Sequence, residues 1–323
     1  MRKPLSATSS AILALGALLI WASLMRSASA GQTGFNPSPL AFISGLVAES
    51  GASVRSSIAY GPASRHRLDV YEPEPGRPRR QTIIVFYYGG GWVSGDRGLY
   101  AFLGSAFASR GYTTVIADYR LYPQVQFPVF VEDAALAYGW VARTIASGAR
   151  RPIVVMGHSA GAHIGALIAL DPRYRAQFAS EAPAPTGFIG LAGPYAFDPT
   201  SWPTTKDIFA PAIGNPDATR PTVQAAKLKA PLSALLLHGS DDTVVTPDAS
   251  TQFAQALVAR GANVQHVAYG VGHLGVMLAY ARPLRWRAGV FDRTLAFLDH
   301  IEAGDRRRPE PTRSSPQRAS PPS

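Results

Sequence analysis

VVMGHSAGAHIGALIAL, residues 154–170, decides how the rest of the chain is read. A short β-branched run ends in Gly157-His158-Ser159-Ala160-Gly161, and an apolar run of helical length follows. This matches G-x-S-x-G at a strand-to-helix junction, the context in which that pattern has a mechanical meaning. A sharp turn there strains the backbone of its middle residue and leaves no room for side chains beside it. Gly157, Ala160 and Gly161 meet that demand. Ser159 would then stand above the sheet, with the Ala160 N–H aimed at whatever the serine attacks. The competing reading is a helix N-cap serine preceded by glycine, a common arrangement.

A serine hydroxyl is a poor nucleophile and needs a base, which in turn needs a residue to orient it. On this architecture the expected chain order is serine, acid, histidine, each in a loop after a strand. After the apolar run Ala234–Leu237 comes His238-Gly239-Ser240-Asp241-Asp242-Thr243-Val244-Val245, which supplies an acid. After the alternating run Val264–Tyr269 comes Gly270-Val271-Gly272-His273, which supplies the histidine. Asp241 and Asp242 compete for the acid position; the spacing after His238-Gly239 favours Asp242, with Asp241 left to the turn or to solvent. Tyr87-Tyr88-Gly89-Gly90-Gly91-Trp92 closes another strand, and its glycines permit a loop whose N–H groups face developing negative charge. It lacks the patterns of a phosphate cradle, G-x-x-x-x-G-K-[ST] or G-x-G-x-x-G.

Working outward, short apolar runs alternate with amphipathic ones. Strands are predicted at 82–87, 113–117, 153–156, 188–191, 234–237 and 264–269, with an antiparallel edge strand at 67–71. Helices are predicted at 100–110, 131–147, 160–170, 251–260 and 287–301. This alternation predicts an α/β fold with a mostly parallel sheet covered by helices on both faces. The Pro-, Thr- and Asp-rich stretch 194–231 breaks the rhythm and reads as a short insertion folding over the carboxyl edge of the sheet, where open α/β folds bind ligands.

The 323 residues are 46% hydrophobic and 16% charged, enough for a substantial core and too apolar for a disordered chain. With no cysteine, disulfides and thiol chemistry are excluded. The seven histidines contain no H-E-x-x-H, so neither a metal nor another cofactor is expected. The net charge of +10 is concentrated at the two ends and forms no basic stripe in between, which argues against nucleic-acid binding. Residues 1–30 combine Arg2 and Lys3, an apolar stretch over 11–25 and Ala28-Ser29-Ala30, the pattern of a secretory signal peptide or an N-terminal anchor. Export to the periplasm or medium is the expectation. A lead-in segment (31–66), the catalytic domain (67–303) and a Pro-, Ser- and Arg-rich tail (304–323) follow. The tail and the N-terminal segment could attract the chain weakly to an anionic membrane or envelope.

Six motifs carry a resemblance: GGGW at 89–92, DYRL at 118–121, FPVFVED at 127–133, GHSAG at 157–161, HGSDDTVV at 238–245 and GH at 272–273. Over about 68–298 the chain resembles the α/β-hydrolase superfamily, in particular the hormone-sensitive-lipase-like carboxylesterases and the kynurenine-formamidase-like group. The resemblance implies Ser159 as nucleophile, Asp242 as acid and His273 as base, with Gly89, Gly90 and Ala160 as oxyanion donors. It implies a small-molecule ester as substrate and no cofactor; the short insertion predicts an open site and a small or medium acyl group. Amides, or a non-catalytic binding module on the same fold, are the alternatives. Tyr88 stands where the family usually has histidine, and a tyrosine hydroxyl could hold the loop in its place. Tyr88, Trp92 and His158 are candidates for lining the substrate pocket, as are Trp202 and Phe209 of the insertion. Asp133, at a predicted helix start, and Arg120 are expected to pair beneath the site.

Overall fold

The computed structural model describes Ser44 and residues 47–147, 151–178, 182–228 and 232–305. The expected signal peptide and residues 306–323 of the expected tail lie outside the described residues. Eight strands form one sheet: β1 (Ala52–Ala59), β2 (Arg67–Pro73), β3 (Ile83–Tyr87), β4 (Thr113–Ala117), β5 (Ile153–His158), β6 (Gly187–Leu191), β7 (Ser233–Gly239) and β8 (Asn263–Tyr269), in the order β1-β2-β4-β3-β5-β6-β7-β8. All neighbours from β4 to β8 pair in parallel, whereas β2 runs antiparallel to both β1 and β4. The helices are α1 (Ala101–Ala108), α2 (Val129–Thr144), α3 (Ala160–Leu170), α4 (Pro172–Phe178), α5 (Pro221–Gln224), α6 (Asp248–Val258), α7 (Gly275–Leu278) and α8 (Val290–Asp305).

The central strands β3, β4, β5 and β6 are buried at every position, as β-branched runs covered on both faces should be. Successive residues of β6 show the two layers. The Cα of Gly187 faces Phe297 and Ile301 of α8, while the ring of Phe188 faces Phe253 of α6 and Gly165 of α3. On the α8 side, Phe107 of α1 packs against Phe291, with ring centroids 5.4 Å apart. The last helix also ties down the start of β3. Glu302 Oε1 accepts the Thr82 N–H at 3.0 Å, and Asp299 Oδ1 pairs with Arg80 and accepts the Tyr112 hydroxyl, both at 3.0 Å.

Two expectations need correction. The strand at 67–71 is antiparallel, yet it is not the edge. β1, inside the 31–66 segment read as a lead-in, lies outside it, so the sheet begins before Arg67. β1 is exposed along most of its length and offers no apolar alternation to read. α2 starts at Val129, two residues before the predicted start, which places Asp133 one turn inside the helix. The pairing with Arg120 does form: Asp133 accepts from the Arg120 Nε at 2.8 Å, from its Nη2 at 2.7 Å and from its backbone N–H at 2.9 Å. The described part of the 194–231 insertion is built of short helical turns and α5.

Candidate active site

Parallel register brings five strand ends to one edge: Tyr87 of β3 pairs with Gly157 of β5, His158 of β5 with Leu191 of β6, and Gly239 of β7 with Tyr269 of β8. The loops that follow carry Gly89, Ser159, Asp242 and His273. Ser159 adopts φ 54° and ψ −123°, a left-handed conformation that costs a non-glycine residue about 1–3 kcal/mol. The crossing around it explains its neighbours. A Cβ on Gly157 would overlap the Gly161 carbonyl, and one on Gly161 would overlap the Tyr87 carbonyl. The Ser159 backbone carbonyl opens α3, accepting from the Ala162 and His163 N–H groups at 2.9 and 3.1 Å. Its side chain makes no capping bond, so the N-cap reading fails for the hydroxyl.

That hydroxyl lies 2.9 Å from His273 Nε2, and His273 Nδ1 lies 2.7 Å from Asp242 Oδ2. A carboxylate only accepts, so Nδ1 carries the proton and Nε2 is free to accept from Ser159. Asp242 Oδ1 accepts the Val244 and Val245 N–H groups at 2.8 and 2.9 Å. Burial would raise the Asp242 carboxyl, but hydrogen bonds from His238, His273 and the Val245 N–H outweigh it and hold it well below the usual carboxylate range. Asp241 is exposed and accepts from Ser240 Oγ at 2.9 Å, away from His273. Of the two competing acids, Asp242 is the one brought to the histidine.

The glycine-rich loop lies directly against the serine: a Cβ on Gly89 would sit 2.9 Å from the Ser159 Cβ. Gly90 has φ 132° and its carbonyl accepts the Val93 and Ser94 N–H groups, each at 3.1 Å, which curls the loop.

Tyr88 and His158 do not line a pocket. Tyr88 is fully buried, stacked between Tyr100 and Tyr119 with centroids 5.7 and 4.8 Å away. Its hydroxyl donates to Asp118 Oδ1 at 2.8 Å and accepts from Arg65 Nη2 at 2.7 Å. It anchors the loop, the service expected of the histidine it replaces. Behind it, Arg97 pairs with Asp118 and, at 2.9 Å, with Asp69. His158 is buried, and its Nε2–H donates to the His273 carbonyl at 3.1 Å. Burial first, and the nearby His273 second, push its pKa down to about 3. Trp92 is also buried; its ring meets His163 and Phe209 edge-on at 5.2 and 4.9 Å, forming a wall between the loop, α3 and the insertion. Phe209 belongs to that wall, whereas Trp202 is exposed.

His238, which sequence reasoning left without a role, is wholly buried with its Nε2 3.1 Å from Asp242 Oδ2 and its Nδ1 2.7 Å from Ser250 Oγ. A polar residue closing the aliphatic run ALLL was the available signal. Among the described residues, no group of three or more His, Asp or Glu side chains is arranged to hold a metal ion.

Comparison with known proteins places this geometry in a family. The model of the prolyl oligopeptidase family matches residues 131–301, more than half of the chain, and the BD-FAE model matches residues 68–183. An isoprenylcysteine α-carbonyl methylesterase of Arabidopsis thaliana is 30% identical over 275 residues, covering 78% of this chain and 63% of that protein. The esterase LipC of Mycobacterium tuberculosis is 28% identical over 242 residues, covering 68% and 59%. The chain thus spans roughly three fifths of the length of these curated relatives. Among solved structures, an esterase B of Lactobacillus rhamnosis carrying a tributyrin phosphonate superposes with a TM-score of 0.66 at 16% identity, covering 91% of this chain and 96% of that one, a likeness of fold. An esterase from Thermogutta terrifontis with propionate bound is 25% identical at a TM-score of 0.59, covering 77% and 96%. The chain belongs to the prolyl oligopeptidase family and has an α/β-hydrolase fold.

Proposed function

We propose that this chain is an exported serine carboxylesterase acting on esters of small to medium acyl chain. The observation that carries the reading is the continuous path from Ser159 Oγ through His273 to Asp242, at 2.9 and 2.7 Å. Ser159 Oγ attacks the ester carbonyl carbon while His273 Nε2 takes its proton. Asp242 holds the ring in the required tautomer and faces the imidazolium that forms. The tetrahedral oxyanion is received by the Gly89, Gly90 and Ala160 N–H groups. The carbon–oxygen bond to the alcohol then breaks, His273 returns the proton to the departing alcohol, and an acyl-serine remains. Water, deprotonated by His273, repeats the sequence and frees the acid. The relatives named as methylesterases support a small leaving alcohol. The buried wall of Trp92 and Phe209 supports a bounded acyl site. Export rests on the sequence pattern of residues 1–30, and attachment to the envelope on the same segment together with the basic tail.

A second reading, cleavage of amides or peptides by the same residues, is favoured by the prolyl oligopeptidase match. Fluorophosphonate labelling of wild type and Ser159→Ala, followed by p-nitrophenyl acetate, butyrate and octanoate beside the matched anilides, separates these. Label and ester turnover that vanish in the variant, with acetate and butyrate preferred, are expected. Anilides cleaved faster than esters would transfer the assignment to the second reading. A folded wild type that takes no label would leave a binding module.

A further inference from the structure

A second histidine, at the end of β7, reaches the same Asp242 oxygen as His273. His238 is the penultimate residue of β7, wholly buried, and its Nε2 sits between two acceptors: Asp242 Oδ2 at 3.1 Å and the Val245 carbonyl at 3.0 Å. Neither can donate, so Nε2 must carry a proton. In the neutral ring Nδ1 then accepts the hydroxyl proton of Ser250, 2.7 Å away on α6 and equally buried. The two acceptors fix the tautomer, Ser250 supports it by donating to Nδ1, and the tautomer fixes a donor onto the carboxylate. Asp242 Oδ2 is thereby shared between His273 and His238, while Oδ1 takes two backbone N–H groups. Four donors converge on one side chain, which leaves it a single rotamer and a single direction toward His273.

We infer that His238 and Ser250 form a positioning pair for the reaction, holding Asp242 Oδ2 in line with His273 Nδ1 and sharing its negative charge. The inference rests on the proposed roles of Ser159, His273 and Asp242. Without the His238 donor, Asp242 can swing, and more of its charge falls on His273. A stronger anion beside imidazole favours the protonated ring, so His273 would stay protonated, and idle as a base, to higher pH. The other titratable groups around this pair are His158 beside His273, His266 of β8 beside His238, and the exposed Asp241 of the same loop.

The test compares wild type, His238→Phe, His238→Gln and Ser250→Ala, using p-nitrophenyl acetate turnover across pH and fluorophosphonate labelling rates, with melting measured on each. Phe keeps a ring and removes both nitrogens; Gln can return a donor toward Asp242. In His238→Phe, kcat should fall by about tenfold with KM little changed, the share of one charge-assisted, orienting hydrogen bond. The acid limb of kcat/KM should move to higher pH, and His238→Gln should recover much of the rate. Ser250→Ala, which disturbs packing least, should move the same limb in the same direction and carries the test if the ring variants do not fold. Folded variants with lower melting points but wild-type acid limbs and kcat would make His238 merely structural and overturn the inference. A wild type without Ser159-dependent turnover would instead remove the triad reading, and the inference with it.

Discussion

The two loops that flank Ser159 are held in opposite ways. The glycine-rich loop after β3 is pinned from behind by formal charges: Arg97 lies between Asp69 and Asp118, and Arg65 reaches Asp118 through the Tyr88 hydroxyl. The acid loop after β7 has one buried charge, Asp242, surrounded by neutral donors from histidine and backbone. The difference follows from what each loop has to do. The first lies against Ser159 and must keep its shape, and a charged lattice at a distance from the serine supplies rigidity without altering the hydroxyl's surroundings. The second must leave its carboxylate charge acting on His273, and a nearby guanidinium would cancel that charge.

If this contrast holds, damage to the acid loop should fall on rate and damage to the charged lattice on stability. The largest effect is expected from Asp242→Asn, which keeps the volume but favours the wrong His273 tautomer. Turnover of p-nitrophenyl esters should drop by about 10³–10⁴ with the fold intact, whereas Asp241→Asn should stay within about twofold, because surface changes away from such features are near neutral. Equal losses in the two variants would break the assignment of the acid. Next, Arg97→Met strands two buried carboxylates and should cost about 3–5 kcal/mol of stability, read by chemical denaturation. The rate per folded molecule, measured well below the melting point, should stay within a few fold. A rate loss out of proportion to melting would show that the lattice does more than hold shape.

The smallest effect concerns pH. Burial holds His163 down to about 4, and its Nε2–H donates to the Thr219 carbonyl of the insertion at 2.6 Å. His158 is likewise held low, at about 3. Both folded values lie below the 6.5 of an unperturbed ring, so the unfolded chain binds more protons as the medium acidifies. The stability these neutral rings permit is full above about pH 6.5 and is lost progressively toward pH 4 and below. Melting followed across that range should slope downward with acid, and His163→Gln should make the slope shallower. An unchanged slope would mean that the insertion does not depend on that neutral ring.

Much of this site was legible because backbone geometry wrote it into the sequence. Gly157 and Gly161 are small because carbonyls pass where their side chains would be, and that constraint shows in one pentapeptide. Asp242 and His273 were legible through chain order, since each follows a parallel strand ending at the same edge. The misreadings share one physical cause. Tyr88 and His158 neighbour the reacting residues in sequence, but adjacency along a strand end does not say which face a side chain takes, and both face inward. His238 stayed hidden for the complementary reason: its meaning depends on Ser250 in a later helix. β1 was missed because its backbone bonds to β2, and not an apolar face, place it in the sheet.

The bond from Thr82 to Glu302 spans 220 positions of chain. Because translation runs from the amino end, the strand leading into the glycine-rich loop leaves the ribosome long before the helix that secures it. The parallel sheet, the Ser159 turn and the His273 loop are all synthesised within that interval. The sealed fold therefore arrives late, and a nascent chain halted before α8 would present an unsealed hydrophobic layer to the cell's chaperones.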